Sequence, residues 1–236
     1  MKIGILGSGS LGIIIGALIT QSGKYEVDLI DSNIKNVNAL NENGAQITGF
    51  LNTNISVNAI SIDNLHDKYD LIILLTKQLY TIDALTNMLP FLHENSTVCT
   101  LQNGVPENLV ASVVGEKRTI GGSVGFGATW VSPGISELTT ELATMKNHAF
   151  DIGELSGENT PRINIVQEVL SHVGKCNVSS NIKGVKWSKL LMNVTFSGMS
   201  AALGCQFKDI LNNNCAMKSI MKIADETLTI GNKINK

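Results

Sequence analysis

The chain has 236 residues, 43% hydrophobic and 16% charged, with a formal net charge of −2; this is enough apolar mass for one large or two small domains, and no polybasic face is left for nucleic acid. The apolar runs Leu11–Ile19 and Leu71–Leu75 are too short to span a bilayer, and the N-terminus enters a strand-like run at once, with no room for a signal peptide. Cys99, Cys176, Cys205 and Cys215 are scattered and His66, His93, His148 and His172 have no metal-ligand spacing, so the expectation is a cytoplasmic protein with reduced thiols and no metal.

In chain order, Ile3–Leu6 reads as a buried strand that runs straight into Gly7-Ser8-Gly9-Ser10-Leu11-Gly12. An apolar helix follows to about Thr20, and a second strand, Val27–Ile30, ends at Asp31. Strand, G-x-G-x-x-G, helix, strand, acid is the order of a dinucleotide-binding βαβ unit. Gly7 permits the tight turn, Gly9 lets the backbone approach a pyrophosphate, and Gly12 lets helix and strand pack closely. The helix N-terminus then offers N–H groups and a positive dipole end to the phosphates. A purely structural glycine turn is the alternative. Asp31 suits the two ribose hydroxyls and would repel a 2′-phosphate, which favours NAD; Lys35, just beyond, could still reach a phosphate, so NADP stays open.

A helix is expected over Ile34–Asn43, stopped by Gly44, and short strands over Ala45–Ile62. Asp70–Leu75 is the continuous apolar run of a strand buried in a parallel sheet and ends in Thr76-Lys77. A helix over Thr81–Leu89 closes at Pro90. A strand over Ser96–Leu101 ends in Gln102-Asn103-Gly104-Val105, and Pro106 opens the next helix. Thr119–Trp130 is glycine-rich and strand-like, with more strand at Ile135–Thr139 and Ala149–Ile152, then a helix over Ile163–Val173. The alternation predicts an α/β fold with a doubly wound, Rossmann-type parallel sheet over residues 1–176. Residues 177–236 are expected to begin a mostly helical second domain, the candidate surface for substrate and for a homodimer. Gly7–Gly12, Asp31, Lys77 and Asn103 all fall at carboxyl ends of strands, where ligands of such sheets bind.

Lys189, Asn193 and Ser197 recur every four residues in an otherwise apolar segment, which places them on one helical face, with Ser200 close by. The plain reading is a solvated face of an amphipathic helix. The functional one is an ammonium, an amide and a hydroxyl facing a cleft.

Four elements in this order, Gly7–Gly12, Leu75-Thr76-Lys77, Leu101-Gln102-Asn103-Gly104-Val105 and Trp187-Ser188-Lys189-Leu190-Leu191-Met192-Asn193, resemble the 2-dehydropantoate 2-reductases (ketopantoate reductases) over essentially the whole chain. The resemblance implies reduction of the ketone of 2-dehydropantoate to the alcohol of pantoate, a step towards pantothenate and coenzyme A, with NADP or NAD as cofactor. It implies that Gly7, Ser8, Gly9, Ser10, Leu11 and Gly12 hold the pyrophosphate, that Lys77 and Asn103 line the nicotinamide side, and that Gly127 is a further cofactor contact. Lys189 matches the proton donor and Asn193 a substrate-binding amide; Asn103 and Ser197 would also meet substrate. Plainer readings are a strand-end lysine for Lys77, a turn pair for Asn103-Gly104 and a tight strand crossing for Gly127.

Three departures stand out. Ser197 occupies the place of a second substrate-binding asparagine, and Phe207 that of another polar contact. Family members also continue for several helices beyond the position of Lys236, carrying a substrate-contacting serine and an organising glutamate, so a fragment or a naturally shortened chain is expected. The alternatives to the leading reading are a dehydrogenase for another 2-oxo or 2-hydroxy acid, and a non-catalytic nucleotide-binding paralogue.

Ketone reduction needs a hydride at carbon and a proton at oxygen. A lysine is cationic at neutral pH, so it can both stabilise the charge that develops on oxygen and release the proton. Neutral amides orient the acid and hydroxyl of the substrate without trapping the product.

Overall fold

The computed structural model describes residues 1–234. The chain opens with β1 (Lys2–Leu6), α1 (Ser10–Gln21), β2 (Glu26–Asp31) and α2 (Ile34–Asn43), followed by three short strands, β3 (Ala45–Gly49), β4 (Thr53–Ile55) and β5 (Asn58–Ser61). Then come β6 (Tyr69–Leu74), α3 (Thr81–Met88), β7 (Leu92–Thr100), α4 (Glu107–Val114), β8 (Thr119–Val124), β9 (Ala128–Ser132), β10 (Ile135–Leu138), α5 (Leu142–Asn147), β11 (Phe150–Glu154), α6 (Pro161–Ser171) and β12 (Cys176–Val178). The rest is helical: α7 (Ile182–Met192), a π-turn over Asn193–Ser197, α8 (Gly198–Leu203), α9 (Phe207–Leu211) and α10 (Asn214–Ile234). Contacts divide the chain into two units, Met1–Gln102 with Pro106–Ile182, and Asn103–Val105 with Lys183–Lys236.

The first unit is built on an eight-stranded sheet in the order β12-β11-β8-β7-β6-β1-β2-β5. From β8 to β5 every pairing is parallel, and β11 turns antiparallel against β8. This is the α/β, Rossmann-type sheet that the alternation predicted. Ile3–Leu6 of β1 and Leu71–Leu74 of β6 are buried and apolar without interruption because both faces of the sheet are covered. Leu71 and Ile73 enter one core while Ile72 and Leu74 enter another, as the two-residue period of a strand requires. The second of these cores is filled from the helices by Leu85, Met88, Val110 and Val114.

A second sheet, in the order β4-β3-β10-β9, departs from the expected layout. The run Thr119–Trp130 is not one strand. It breaks at Gly125-Phe126-Gly127, so that β8 stays in the main sheet and β9 joins the small one. The physical reason lies in α1. Ile13, Ile14 and Ile15 are consecutive and all fully buried, and no single face of a helix can hide three successive residues. α1 packs against β1 and β2 on one side and against β3, β4, β9 and β10 on the other. The small sheet is the lid that its apolar sequence demands.

The amino-terminal edge of the main sheet carries a polar network. Asp28 accepts from the Tyr69 hydroxyl at 2.7 Å and from the Asn58 amide at 2.6 Å, and lies 3.2 Å from the Lys2 ammonium. Asp70 accepts from the Lys2 backbone N–H at 2.7 Å and pairs with His93 at 3.0 Å. Burial and the Asp28 carboxylate push the Tyr69 phenol upward, so this hydroxyl stays a donor. The four cysteines are free, and burial pushes the Cys176 thiol up to about 12, which makes it inert.

The second unit is helical. Its buried centre is Ile210, Ala216 and Ile220, with Phe196, Met199, Cys205 and Met217 packed around them. α10 comes close to α7 at Gly231, where a Cβ would lie 3.2 Å from the Trp187 ring. Among the described residues, no helix is long and apolar enough to cross a membrane.

Candidate active site

The glycine loop has the form its sequence implies. Gly7 sits at φ +101°, where side chains are strained, and donates its N–H to the Ile30 carbonyl at 2.9 Å. A Cβ at Gly12 would stand 2.1 Å from the Gly7 carbonyl oxygen, which no neighbour can yield. Gly9 is different: a Cβ there meets nothing within 4 Å. Gly9 caps α1 with no side-chain hydrogen bond, leaving the first-turn N–H groups without an intrahelical partner. Open space beside unsatisfied donors at a helix N-terminus suits a pyrophosphate.

Ser8 is fully buried, its hydroxyl donates to the Ile30 carbonyl at 3.3 Å, and so its side chain is committed to the loop. Ser10 opens α1, and its carbonyl accepts from the Ser136 hydroxyl at 2.8 Å; Leu11 is half-buried beside it. At the end of β2, Asp31 accepts from the Asn33 backbone N–H at 3.0 Å and from the Asn36 amide at 3.1 Å. Each oxygen keeps a lone pair for a further donor, such as a ribose hydroxyl.

Lys77 is exposed in the turn after β6, three residues beyond Leu74. The neighbouring Gln102 is buried at the end of β7, and its amide donates to the Thr76 carbonyl at 2.8 Å and to the Thr81 hydroxyl at 2.8 Å. Gln102 thus ties the turn after β6 to the start of α3. Asn103 is exposed in the turn that follows, with Gly104 at φ +74°, and Asn103–Val105 group with the second unit. Gly127 donates to the Thr140 hydroxyl at 2.8 Å, and a Cβ there would meet the Thr139 hydroxyl at 2.7 Å. Its missing side chain serves that crossing, and it can offer a ligand only backbone.

In the second unit, Lys189 and Asn193 are half-buried and Ser197 is exposed. The expected plain α-helix is corrected by the π-turn that begins at Asn193. At 3.6 residues per turn, Ser197 would sit about 80° around the helix from Lys189. A π-turn takes up one extra residue, which returns Ser197 to within about 20° of that line. The buried Thr195 donates its hydroxyl to the Leu191 carbonyl at 2.5 Å inside this turn. Phe207 packs against Phe196 with the rings tilted and their centroids 5.6 Å apart, so an apolar ring stands where a polar contact was expected.

Sequence reasoning passed over Asn36 and Lys186, both buried. The signal was present: Asn36 shares a helical face with Leu40, and Lys186 lies between Ile182 and Leu190 at four-residue spacing, so each is a polar group on an apolar stripe.

The family described as ketopantoate reductase PanE/ApbA matches residues 3–155, and its C-terminal part matches residues 181–235. The chain belongs to the ketopantoate reductase family. It is similar to the 2-dehydropantoate 2-reductase of Pyrococcus horikoshii, at 32% identity over 228 residues covering 96% of this chain and 72% of that one. The 2-dehydropantoate 2-reductase of Lactococcus lactis is 28% identical, with the same coverage on both sides. Two solved structures share the fold. D-mandelate dehydrogenase with NADH and anilino(oxo)acetate has a TM-score of 0.89 at 23% identity, over 100% of this chain and 75% of that one. 2-Dehydropantoate 2-reductase from Geobacter metallireducens has a TM-score of 0.85 at 24% identity, over 98% and 75%. Family membership makes the chain an oxidoreductase acting on a CH–OH group with a nicotinamide cofactor.

Proposed function

We propose that this chain reduces a short 2-oxo acid, 2-dehydropantoate in the first instance, to the 2-hydroxy acid at the expense of a nicotinamide dinucleotide. The observation that carries the reading is the pairing of an open, donor-rich glycine loop beside Gly9 with the W-x-K-L-x-x-N element of α7, whose polar line the π-turn extends to Ser197. In this reading the first unit, Met1–Gln102 with Pro106–Ile182, holds the dinucleotide, and the helical unit serves substrate binding and dimerisation.

In this reading the backbone of Gly7–Gly12 takes the pyrophosphate and Asp31 takes the ribose hydroxyls, which makes NAD the preferred cofactor. Lys77 and Asn103 serve the nicotinamide side, with Gly127 contributing backbone only. When bound, the cofactor supplies the hydride. Lys189 stabilises the negative charge that develops on the carbonyl oxygen and delivers the proton there. Asn103, Asn193 and Ser197 donate to the carboxylate and hydroxyl groups of the substrate.

A second reading, a reductase for a 2-oxo acid with a larger apolar group, is favoured by one observation: the Phe196–Phe207 pair, where the resemblance led us to expect polarity. The test is oxidation of NADH and of NADPH by the purified chain with 2-dehydropantoate, 2-oxoisovalerate and phenylglyoxylate. The first reading expects 2-dehydropantoate to lead by tenfold or more in kcat/KM; a lead for phenylglyoxylate selects the second. Dinucleotide binding with no turnover of any of them makes the chain a non-catalytic paralogue.

A further inference from the structure

Asn36 lies in the first turn of α2 and is fully buried. A primary amide has two N–H donors and one carbonyl acceptor, and here all three are used. Nδ2 donates to the Ser8 carbonyl at 2.8 Å and to Asp31 Oδ2 at 3.1 Å, and Oδ1 accepts from the Gly134 N–H at 2.9 Å. The partners come from three separate segments: the glycine loop, the end of β2, and the turn between β9 and β10. One side chain therefore joins the phosphate loop, the ribose acid and the small sheet.

We propose that Asn36 is the positioning residue for cofactor selection, holding the Asp31 carboxylate in the orientation that accepts a ribose diol. The proposal rests on the reading of Asp31 as the ribose-binding acid. The argument is one of charge and geometry. A carboxylate turns freely about its bond to Cβ unless its oxygens are held. Asp31 is held on both sides, by the Asn33 N–H on Oδ1 and by Asn36 on Oδ2. A lysine or arginine in place of Asn36 would also hold it but would cancel its charge, and with it the repulsion of a 2′-phosphate. A neutral amide orients the acid and leaves the charge in place. An aspartate at 36 would set two carboxylates side by side and lose both donations. Burial prevents water from taking over, because an unsatisfied group there pays its desolvation in full.

The experiment is fluorescence titration of the full chain with NADH and with NADPH, for wild type, Asp31→Ala, Asn36→Ser and the double variant. Asn36→Ser is expected to weaken NADH about tenfold and NADPH less than threefold, and to add nothing to the NADH/NADPH ratio in the Asp31→Ala background. Equal weakening of both cofactors, or a ratio change that persists without Asp31, overturns the proposal and leaves Asn36 as a loop scaffold. If Asp31→Ala does not move the ratio, the ribose assignment itself falls, and this proposal with it. If Asp31→Ala moves the ratio and Asn36→Ser does not, only this proposal falls. A second measurement needs no variant: AMP should shift the side-chain amide resonances of Asn36 in the wild-type chain, and resonances unmoved at saturating AMP refute the proposal even where Asn36→Ser does not fold.

Discussion

The two units carry their candidate chemistry in opposite ways. In the first, the candidate dinucleotide loop is a backbone shape, and the polar side chains near it, Ser8, Asn36 and Gln102, are buried and committed to hydrogen bonds within the unit. In the second, Lys189, Asn193 and Ser197 stand half-buried or exposed on one helical run. The buried centre there is small, and Leu203, Leu211, Met221, Leu228 and Ile230 are exposed. The difference teaches where each function is vulnerable. A loop made of backbone fails through its geometry, so fold and affinity go together where a glycine serves the packing, as Gly12 does, and part only where it borders open space, as Gly9 does. A line of side chains on a scaffold fails through its chemistry, and turnover can go alone.

The largest expected effect breaks the second half of that contrast. Lys189→Ala should lower kcat by roughly 10²–10⁴-fold, the range for a general acid, while the dissociation constant for NADH changes less than threefold. Steady-state kinetics beside fluorescence titration reads both. A near-normal kcat would make Lys189 a solvated helix residue, and joint loss of cofactor and fold would make it structural.

The first half is tested by a pair of glycines. Gly12→Ala pushes a methyl onto the Gly7 carbonyl, an overpacking that costs about 1–3 kcal/mol or more, so melting temperature and dinucleotide affinity should fall together. Gly9→Ala meets nothing and has a backbone at φ −75°, open to any residue. Its stability should hold within about 0.5 kcal/mol while affinity falls, because the methyl fills the space assigned to the phosphates. If Gly9→Ala binds NADH as tightly as wild type, the loop is a structural turn.

Much of this was legible in the sequence, and the limits have physical causes. The βαβ unit could be read because its signals are local: an apolar run, a glycine spacing, an acid at the next strand end. The break of Thr119–Trp130 into strands of two sheets could not, because it depends on what covers α1, and a window of sequence does not show that a helix apolar on every side needs a second cover. The polar line was found at four-residue spacing, yet the π-turn that realigns it leaves no mark on the pattern, since it is one extra residue within an unbroken helical run. Asn36 was missed although it shares a buried face with Leu40, because an asparagine near a helix start reads equally as a capping or surface residue, and its three partners come from distant segments.

Acid stability should be set by the first unit. Burial alone would raise the Glu154 carboxyl, but hydrogen bonds from Arg162 and Thr160 and the guanidinium charge outweigh it and hold the group below its ordinary value. Asp70 is likewise lowered: the Lys2 N–H and His93 outweigh its burial. A carboxyl with a depressed folded pKa adds stability that is complete above its unfolded value and is lost as pH falls through the folded one. Thermal melts should therefore be flat from about pH 7 to 5 and fall below about pH 4. Glu154→Gln should lower the plateau and flatten the acid limb. An acid limb of unchanged depth in Glu154→Gln would assign the loss elsewhere.

The smallest effect sharpens the contrast within the helical unit itself. Thr195 is buried and gives its hydroxyl to the Leu191 carbonyl, inside the π-turn that brings Ser197 back under Lys189. Thr195→Val keeps the shape and removes one hydrogen bond, a loss of about 1 kcal/mol. Thr195→Ser keeps the hydroxyl and should stay near wild type. If the bond does no more than steady the helix, Val lowers the melting temperature by a few degrees and leaves the kinetics alone. If it holds the turn that aligns the polar line, KM for the 2-oxo acid rises severalfold while NADH affinity stays put, and Ser restores it. A silent Thr195→Val on both counts would mean that packing around Phe196 and Ile210 holds the turn without the hydroxyl. The alignment of Ser197 would then belong to the apolar core of the unit, and the vulnerable side of the substrate line would be the Phe196–Phe207 ring pair.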